Sequence, residues 1–338
     1  TTASGTSKDR FHFTYDTEEW NAYSQSGVTA GYGAEWVLLS SSAPRKILVA
    51  YTEPNSPATT GDANLARGAE ILTADGVDVV NGTDTETLNA AFWPANTGET
   101  HTFEVKDLGS QETRTISLTS ASVTIDPVQN VKVLETDSGK VGYLTFNNHI
   151  ATAESELISA ITTLSESNVT DLVLDLRYNS GGYLAIASQL AYMIAGPSAS
   201  GQTFELLQFN DKHPSTNPVT GNALTPTPFY SNSIGLSESE GSALPYLNLS
   251  RVFVLTSADT CSASEAIMNG LRGIDVEVIQ IGDTTCGKPY GFYGLDNCGT
   301  TYFSIQFKGV NAKGYGDYSD GFSPVNTTAV EGEPLPGC

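Results

Sequence analysis

The chain has 338 residues and a net charge of −22, with 16 Lys+Arg against 38 Asp+Glu and no basic cluster interleaved with aromatics. That balance excludes nucleic acid and anionic membrane surfaces as partners, since both need a dense positive face. The length allows two domains, and no apolar run approaches the ~20 residues of a membrane-spanning helix.

The opening Thr1-Thr2-Ala3-Ser4-Gly5-Thr6-Ser7 carries no charged-then-apolar leader and reads as a mature or trimmed form. Residues 1–28 are polar and aromatic, with a short helix expected at 18–23, and read as a connector from a further region. From 31 to about 120 the pattern turns to short β-rich runs at 35–39, 47–51, 69–73, 102–105 and 115–118, with one helix at 85–92. Pattern alone gives a small β-rich domain over 29–122. The motifs Gly31-Tyr32-Gly33-Ala34, Ser56-Pro57-Ala58 and Leu65-Ala66-Arg67-Gly68-Ala69-Glu70-Ile71-Leu72 make this stretch resemble the PDZ domain carried by bacterial tail-specific proteases. The resemblance implies that a peptide C-terminus docks beside Gly31, Tyr32, Gly33 and Ala34, adding a strand to the sheet edge.

From about 124 the signals become α/β, and residues 123–338 are expected to form a layered core. A strand is predicted at 141–146, and Leu157, Ile158, Ile161 and Leu164 make a helical stripe. The near-continuous apolar run 171–176 suits a strand covered on both faces. A helix apolar all round follows at 184–194, then a Gly/Pro/Ser/Thr/Asn-rich insertion at 196–248, read as long and irregular. Strand 251–256, helix 262–272, strand 276–281 and a β-rich tail including 302–307 complete the series.

Acyl transfer from an amide needs a nucleophile, a base and donors for an oxyanion. Ser262 opens a helix at a strand-to-helix corner, where free N–H groups and the positive helix end favour a developing negative charge. Ser262-Ala263-Ser264-Glu265 reads equally as a capping box in which Glu265 reaches back to the serine. Lys288 lies in the uncharged stretch Thr284-Thr285-Cys286-Gly287-Lys288-Pro289-Tyr290-Gly291, and a desolvated lysine accepts a proton near neutral pH. Paired glycines in Asn179-Ser180-Gly181-Gly182, after an apolar strand, let backbone N–H groups approach a substrate carbonyl. Cys261, Cys286, Cys298 and Cys338 form no CxxC pair and point to an oxidising compartment, with three pairings open. Cys261 as nucleophile is the competing assignment, and it precedes the helix start by one position.

These segments, with Gly142-Tyr143-Leu144-Thr145-Phe146 and Asp175-Leu176-Arg177, resemble the S41 family of serine peptidases, which includes tail-specific processing and tricorn proteases. The resemblance implies a crotonase/ClpP-like layered α/β protease core preceded by the small PDZ-like domain. It implies Ser262 as nucleophile, Lys288 as base, and Gly181 and Ala263 N–H groups as the oxyanion hole, supported by Gly182. Tail-specific proteases place a Gln four residues after the lysine, whereas this chain has Phe292; tricorn-type members use a His base, for which His149 is the one accessory candidate near the cleft. The expectation is an extracytoplasmic serine endopeptidase without metal or organic cofactor, acting on polypeptides recognised by their C-termini. The rival expectation is a non-catalytic ligand- or peptide-binding protein on the same fold.

Overall fold

Continuous apolar runs become interior parallel strands in this chain, and alternating runs become antiparallel strands with one wet face. The computed structural model describes residues 10–325 and 335–338. They divide into two units, Gly27–Asp126, and the segment up to Ser26 together with Pro127–Cys338.

Strand β1 (Phe13–Asp16) and helix α1 (Thr17–Ser26) come first. Asp16 accepts the N–H groups of Glu18 and Glu19 at 2.9 and 3.1 Å, satisfying donors that the first turn leaves open. This segment was expected as a connector. It is instead built into the larger unit, because β1 pairs antiparallel with the strand Thr300–Phe303.

The unit Gly27–Asp126 contains β2 (Val28–Gly31), β3 (Ala34–Ser40), β4 (Lys46–Thr52), β5 (Glu70–Ala74) and β6 (Val77–Asp78). Helix α2 (Thr85–Phe92), β7 (Thr100–Lys106), β8 (Arg114–Thr119) and β9 (Ala121–Thr124) follow. An antiparallel sheet runs β3-β4-β5-β7-β8 with β6 hairpinned on β5, and β2 pairs with β9. Alternate residues Phe103 and Val105 of β7, and Ile116 and Leu118 of β8, enter a core shared with Ile47, Val49 and Ile71. Asp84 caps α2 through Thr87 N–H at 3.1 Å, and Leu88 and Phe92 face the same core.

The larger unit continues with β10 (Val128–Thr136), β11 (Gly139–Phe146), α3 (Ala153–Glu166), β12 (Asp171–Asp175) and α4 (Leu184–Ala195). Next are β13 (Thr203–Gln208), β14 (Thr227–Pro228), β15 (Arg251–Thr256), α5 (Ala263–Gly273) and β16 (Glu277–Gly282). The tail holds β17 (Tyr290–Gly291), β18 (Gly294–Asn297), β19 (Thr300–Phe303) and β20 (Phe307–Val310). The central sheet runs β10-β11-β12-β15-β16, antiparallel at β10–β11 and parallel beyond. Leu172, Leu174, Val252, Val254 and Val278 form its interior, covered by α3, α4 and α5. Helix α4 is buried from Ile186 to Ala195, as its apolar circumference requires.

Two expectations need revision. The insertion 196–248 is not irregular throughout, since Phe204 and Glu205 are buried and β13 pairs with β20. Its later part is anchored by the buried Glu154 carboxylate, which accepts the N–H groups of Ile234, Leu236, Ser237 and Glu238 at 2.7–3.0 Å. The tail at 302–307 is not one strand either, because β19 and β20 end and begin there in different sheets.

Candidate active site

The parallel strands β12, β15 and β16 end on the same side, where an open α/β sheet receives ligands. Their exit loops are stitched together. Thr260 Oγ1 donates to Leu176 O at 2.9 Å, Cys261 N to Asn179 O at 3.1 Å, and Ser264 Oγ to Asn179 O at 2.9 Å. The Ser257 hydroxyl donates to Arg177 O, and Cys286 N to Thr260 O at 3.0 Å. A Cys261–Cys286 disulfide closes the group and resolves the open pairing, leaving Cys298 and Cys338 as exposed thiols. It joins the residue before Ser262 to the residue two before Lys288.

Ser262 sits at φ 57°, ψ −115°, a left-handed backbone that a residue with a Cβ rarely adopts. Such strain persists only where surroundings fix it, and it is common at working nucleophiles. The surroundings are visible: a Cβ on Gly181, at φ +99°, would lie 2.8 Å from both Ala263 N and Ser262 Cβ. Only glycine allows that approach.

Glu265, in the first turn of α5 and completely buried, accepts from Ser262 N at 3.0 Å as the capping-box reading expects. It also accepts from Thr285 Oγ1 at 2.6 Å, Gly287 N at 2.8 Å and Lys288 N at 2.8 Å. Burial pushes its carboxyl above the ordinary range and these donors pull it back in part. One side chain thus holds the backbone of both proposed reacting residues. The sequence signalled half of this role through the cap spacing; the other half is tertiary.

The Lys288 amine lies 4.4 Å from the Phe292 ring centroid and 5.4 Å from that of Phe11. Burial among these rings pulls it from 10.5 down to about 8, while Glu265 acts in the opposite direction. No salt bridge involves Lys288 among the described residues. Phe292 therefore meets the amine where the family resemblance led to an amide.

The two N–H groups expected as oxyanion donors differ in their commitments. Ala263 N–H, first in α5, donates to no described group. Gly181 N–H donates to Asn179 Oδ1 at 2.9 Å, so in this structure it is committed inside its own loop. Asn179 Oδ1 also meets His149 Nδ1 at 2.8 Å, and Asn179 Nδ2 donates to Phe146 O at 2.9 Å. His149 is fully buried and held down to about 3 by desolvation, against the raising effect of Asn179. No hydrogen bond joins it to Ser262 among the described residues. It backs the glycine turn instead: its backbone flanks Gly182, where a Cβ would come within 2.4 Å of His149 O. Beneath the loop, Asp175 takes Arg177 Nε at 2.9 Å and Tyr143 Oη at 2.8 Å. Burial would raise that carboxyl, but Arg177 and Tyr143 hold it below the ordinary range.

Cys261, Glu265 and Cys286 are the one group spaced for a metal ion among the described residues. The disulfide occupies both sulfurs and backbone donors occupy the carboxylate, so this group does not fit a metal.

In the other unit, Gly31 ends β2 and Ala34 begins β3, an edge strand. Gly33, at φ +72°, passes so close to Ser56 that a Cβ would lie 2.2 Å from its Cβ. Tyr32 is buried and donates to Ala91 O at 3.0 Å, so its side chain serves the core. A cavity of about 870 Å³ in this unit is lined by the 54–63 loop and residues of β8 and β9, among them Ser56 beside Gly33, though not by Gly31 to Ala34 themselves.

Residues 140–291 match peptidase family S41. A carboxyl-terminal-processing protease from Picosynechococcus is 33% identical over 138 residues, covering 41% of this chain and 32% of that protein. Carboxyl-terminal-processing peptidase 2 of Arabidopsis thaliana, a chloroplastic protein, is 31% identical over 166 residues, covering 47% and 30%. The chain thus spans about a third of the length of these curated relatives. A solved Bacteroides fragilis structure assigned to the S41 proteases superimposes with TM-score 0.64 and 26% identity, covering 88% of this chain and 75% of that one. The matched segment 140–291 carries Ser262, Lys288 and the Gly181 turn, so the likeness to peptidase family S41 falls on the residues of this site.

Proposed function

We propose that the protein is a serine endopeptidase using a Ser262–Lys288 dyad. The observation that carries this reading is Glu265 holding both backbones beside an amine brought down to about 8. A lysine in that range is neutral often enough at pH 7 to accept a proton. Neutral Lys288 takes the Ser262 hydroxyl proton as Oγ bonds to the scissile carbonyl carbon, and the carbonyl electron pair moves onto oxygen. Ala263 N–H receives that oxyanion, joined by Gly181 N–H once it swings away from Asn179. Collapse breaks the C–N bond, and protonated Lys288 gives its proton to the leaving amine. Water then attacks the ester carbon as Lys288 takes its proton, the bond from that carbon to Oγ breaks, and Lys288 returns the proton to Oγ, releasing the acid and restoring Ser262.

The substrates in this reading are polypeptides recognised by their C-termini. The names of the relatives support this, as does edge strand β3 beginning at Ala34, which offers unpaired backbone for strand addition in a PDZ-like unit. The disulfide beside the dyad supports work in an oxidising, extracytoplasmic compartment. The test is cleavage of an unstructured polypeptide, followed by mass spectrometry, with free or amidated C-terminus and with Ser262→Ala as control. Cleavage lost in Ser262→Ala and weakened by amidation is expected. Equal cleavage by the variant would remove Ser262 from the mechanism, and equal cleavage of both termini would remove C-terminal recognition.

A further inference from the structure

The chain entering β1 crosses directly over the lysine loop. Arg10 Nη2 donates to Cys286 O at 2.9 Å, and its guanidinium lies 5.0 Å from the Phe11 centroid. Phe11 itself is tilted against Tyr290 at 6.4 Å. Two residues on, Phe13 stacks on Phe303 at 4.4 Å and meets Phe292 edge-on at 5.6 Å, while Phe292 meets Phe303 at 5.1 Å. The pairing of β1 with β19 fixes Phe13 on Phe303 and Phe292, and two residues earlier Phe11 faces the Lys288 amine from the Tyr290 side, so the amine meets both the Phe11 and the Phe292 ring.

We propose that Phe11 is a positioning residue of the active site, which together with Phe292 walls the Lys288 amine off from water and keeps it able to accept a proton. The proposal rests on the dyad reading above. It makes the amino-terminal segment part of the catalytic apparatus rather than a connector. Two ring effects oppose each other here. Excluding water disfavours the ammonium, whereas a ring face attracts it. Burial is the leading cause and brings the amine down to about 8 against Glu265. The other titratable groups on the surrounding elements are Glu265 of α5, Arg10 and His12 of the entering segment, and Tyr290 of β17. Glu265 favours the ammonium, so it does not account for the direction. His12 is turned to the Ile305 N–H, which its Nε2 accepts at 3.3 Å.

Trace acetylation of Lys288 against pH, read by peptide mass spectrometry, measures the amine directly and does not depend on serine reactivity. Phe11→Ala is expected to raise the midpoint by about one unit, which lowers the neutral fraction at pH 7 by about tenfold. The rate of fluorophosphonate capture at Ser262 should fall in parallel. Phe11→Leu keeps an apolar cover without the ring face and should leave the midpoint near wild type, which separates water exclusion from disturbed folding. A midpoint unmoved or lowered in Phe11→Ala, in a wild type that does take the probe, would overturn the proposal and leave the dyad standing. A wild type that refuses the probe while Phe11→Ala still raises the midpoint would overturn the dyad and leave Phe11 as the cover of the amine.

Discussion

Replacing Lys288 by Met should stabilise the protein at neutral pH. Folding moves this amine from 10.5 to about 8, so the folded state bears a cost whenever the amine is charged. At ~1.4 kcal/mol per unit that cost is about 3 kcal/mol. Met is similarly unbranched and packs well against rings, but it forfeits the cation–π attraction of Phe292 and Phe11, ~1 kcal/mol. The net gain is about 2 kcal/mol at pH 6, or a melting shift of roughly 4–8 °C. The sign follows from proton counts: between about pH 8 and 10.5 the unfolded lysine holds a proton that the folded one has released, so wild-type stability rises with pH there. Below pH 8 both states are protonated and the full penalty applies. Urea unfolding of wild type and Lys288→Met from pH 6 to 10.5 should show a gap that closes as pH rises. A gap of zero at pH 6, or one that does not change with pH, would refute the claim that the fold disfavours the charged amine.

Gly181→Ala would place a methyl 2.8 Å from Ala263 N at a left-handed backbone; displacement of the Ser262 corner should cut fluorophosphonate capture by roughly 100-fold, and unchanged capture would show the corner is not set by this contact. Replacing both Cys261 and Cys286 by Ser, or reducing their bond, removes a link of sequence separation 25 and should lower stability by about 3 kcal/mol in urea titration; capture should slow as well, and a variant as stable and reactive as wild type would make the bond incidental. Glu154→Gln confronts four backbone donors with an amide that accepts at one oxygen only; amide hydrogen exchange at 234–238 should rise at least tenfold while β12 stays protected, and unchanged exchange would mean the carboxylate does not hold the insertion.

The parts of this fold that read directly from the sequence are those fixed by local pattern. Strands β12 and β15 are continuous apolar runs and α4 is apolar all round, so burial on every side follows from composition. The Ser262 corner is legible for the same reason, as a small-residue turn between an apolar strand and a helix. Strand β10 is missed because it alternates with exposed residues such as Leu134, and β13 because its short apolar run, Phe204, Leu206 and Leu207, is broken by Glu205 and lies within a longer Gly/Pro/Ser/Thr/Asn-rich segment. Strand β1 is all exposed and is set by a partner at the far end of the chain, which no local window contains. The site shows the same division. Glu265 is legible as a cap, whereas its bonds to Gly287 and Lys288 depend on two loops meeting. Gly181 N–H reads as a free donor until the Asn179 amide is seen to take it. Phe292 stands out as a departure from the family pattern, but its partner Phe11 comes from the opposite end of the sequence.

The central claim, an activated Ser262 with Lys288 as its base, is tested most directly by intact-mass analysis after fluorophosphonate treatment of wild type, Ser262→Ala and Lys288→Ala. One adduct on wild type, absent from both variants, is the predicted result. An adduct that persists in Lys288→Ala would contradict the lysine base, and a wild type that takes no adduct would contradict the catalytic reading itself.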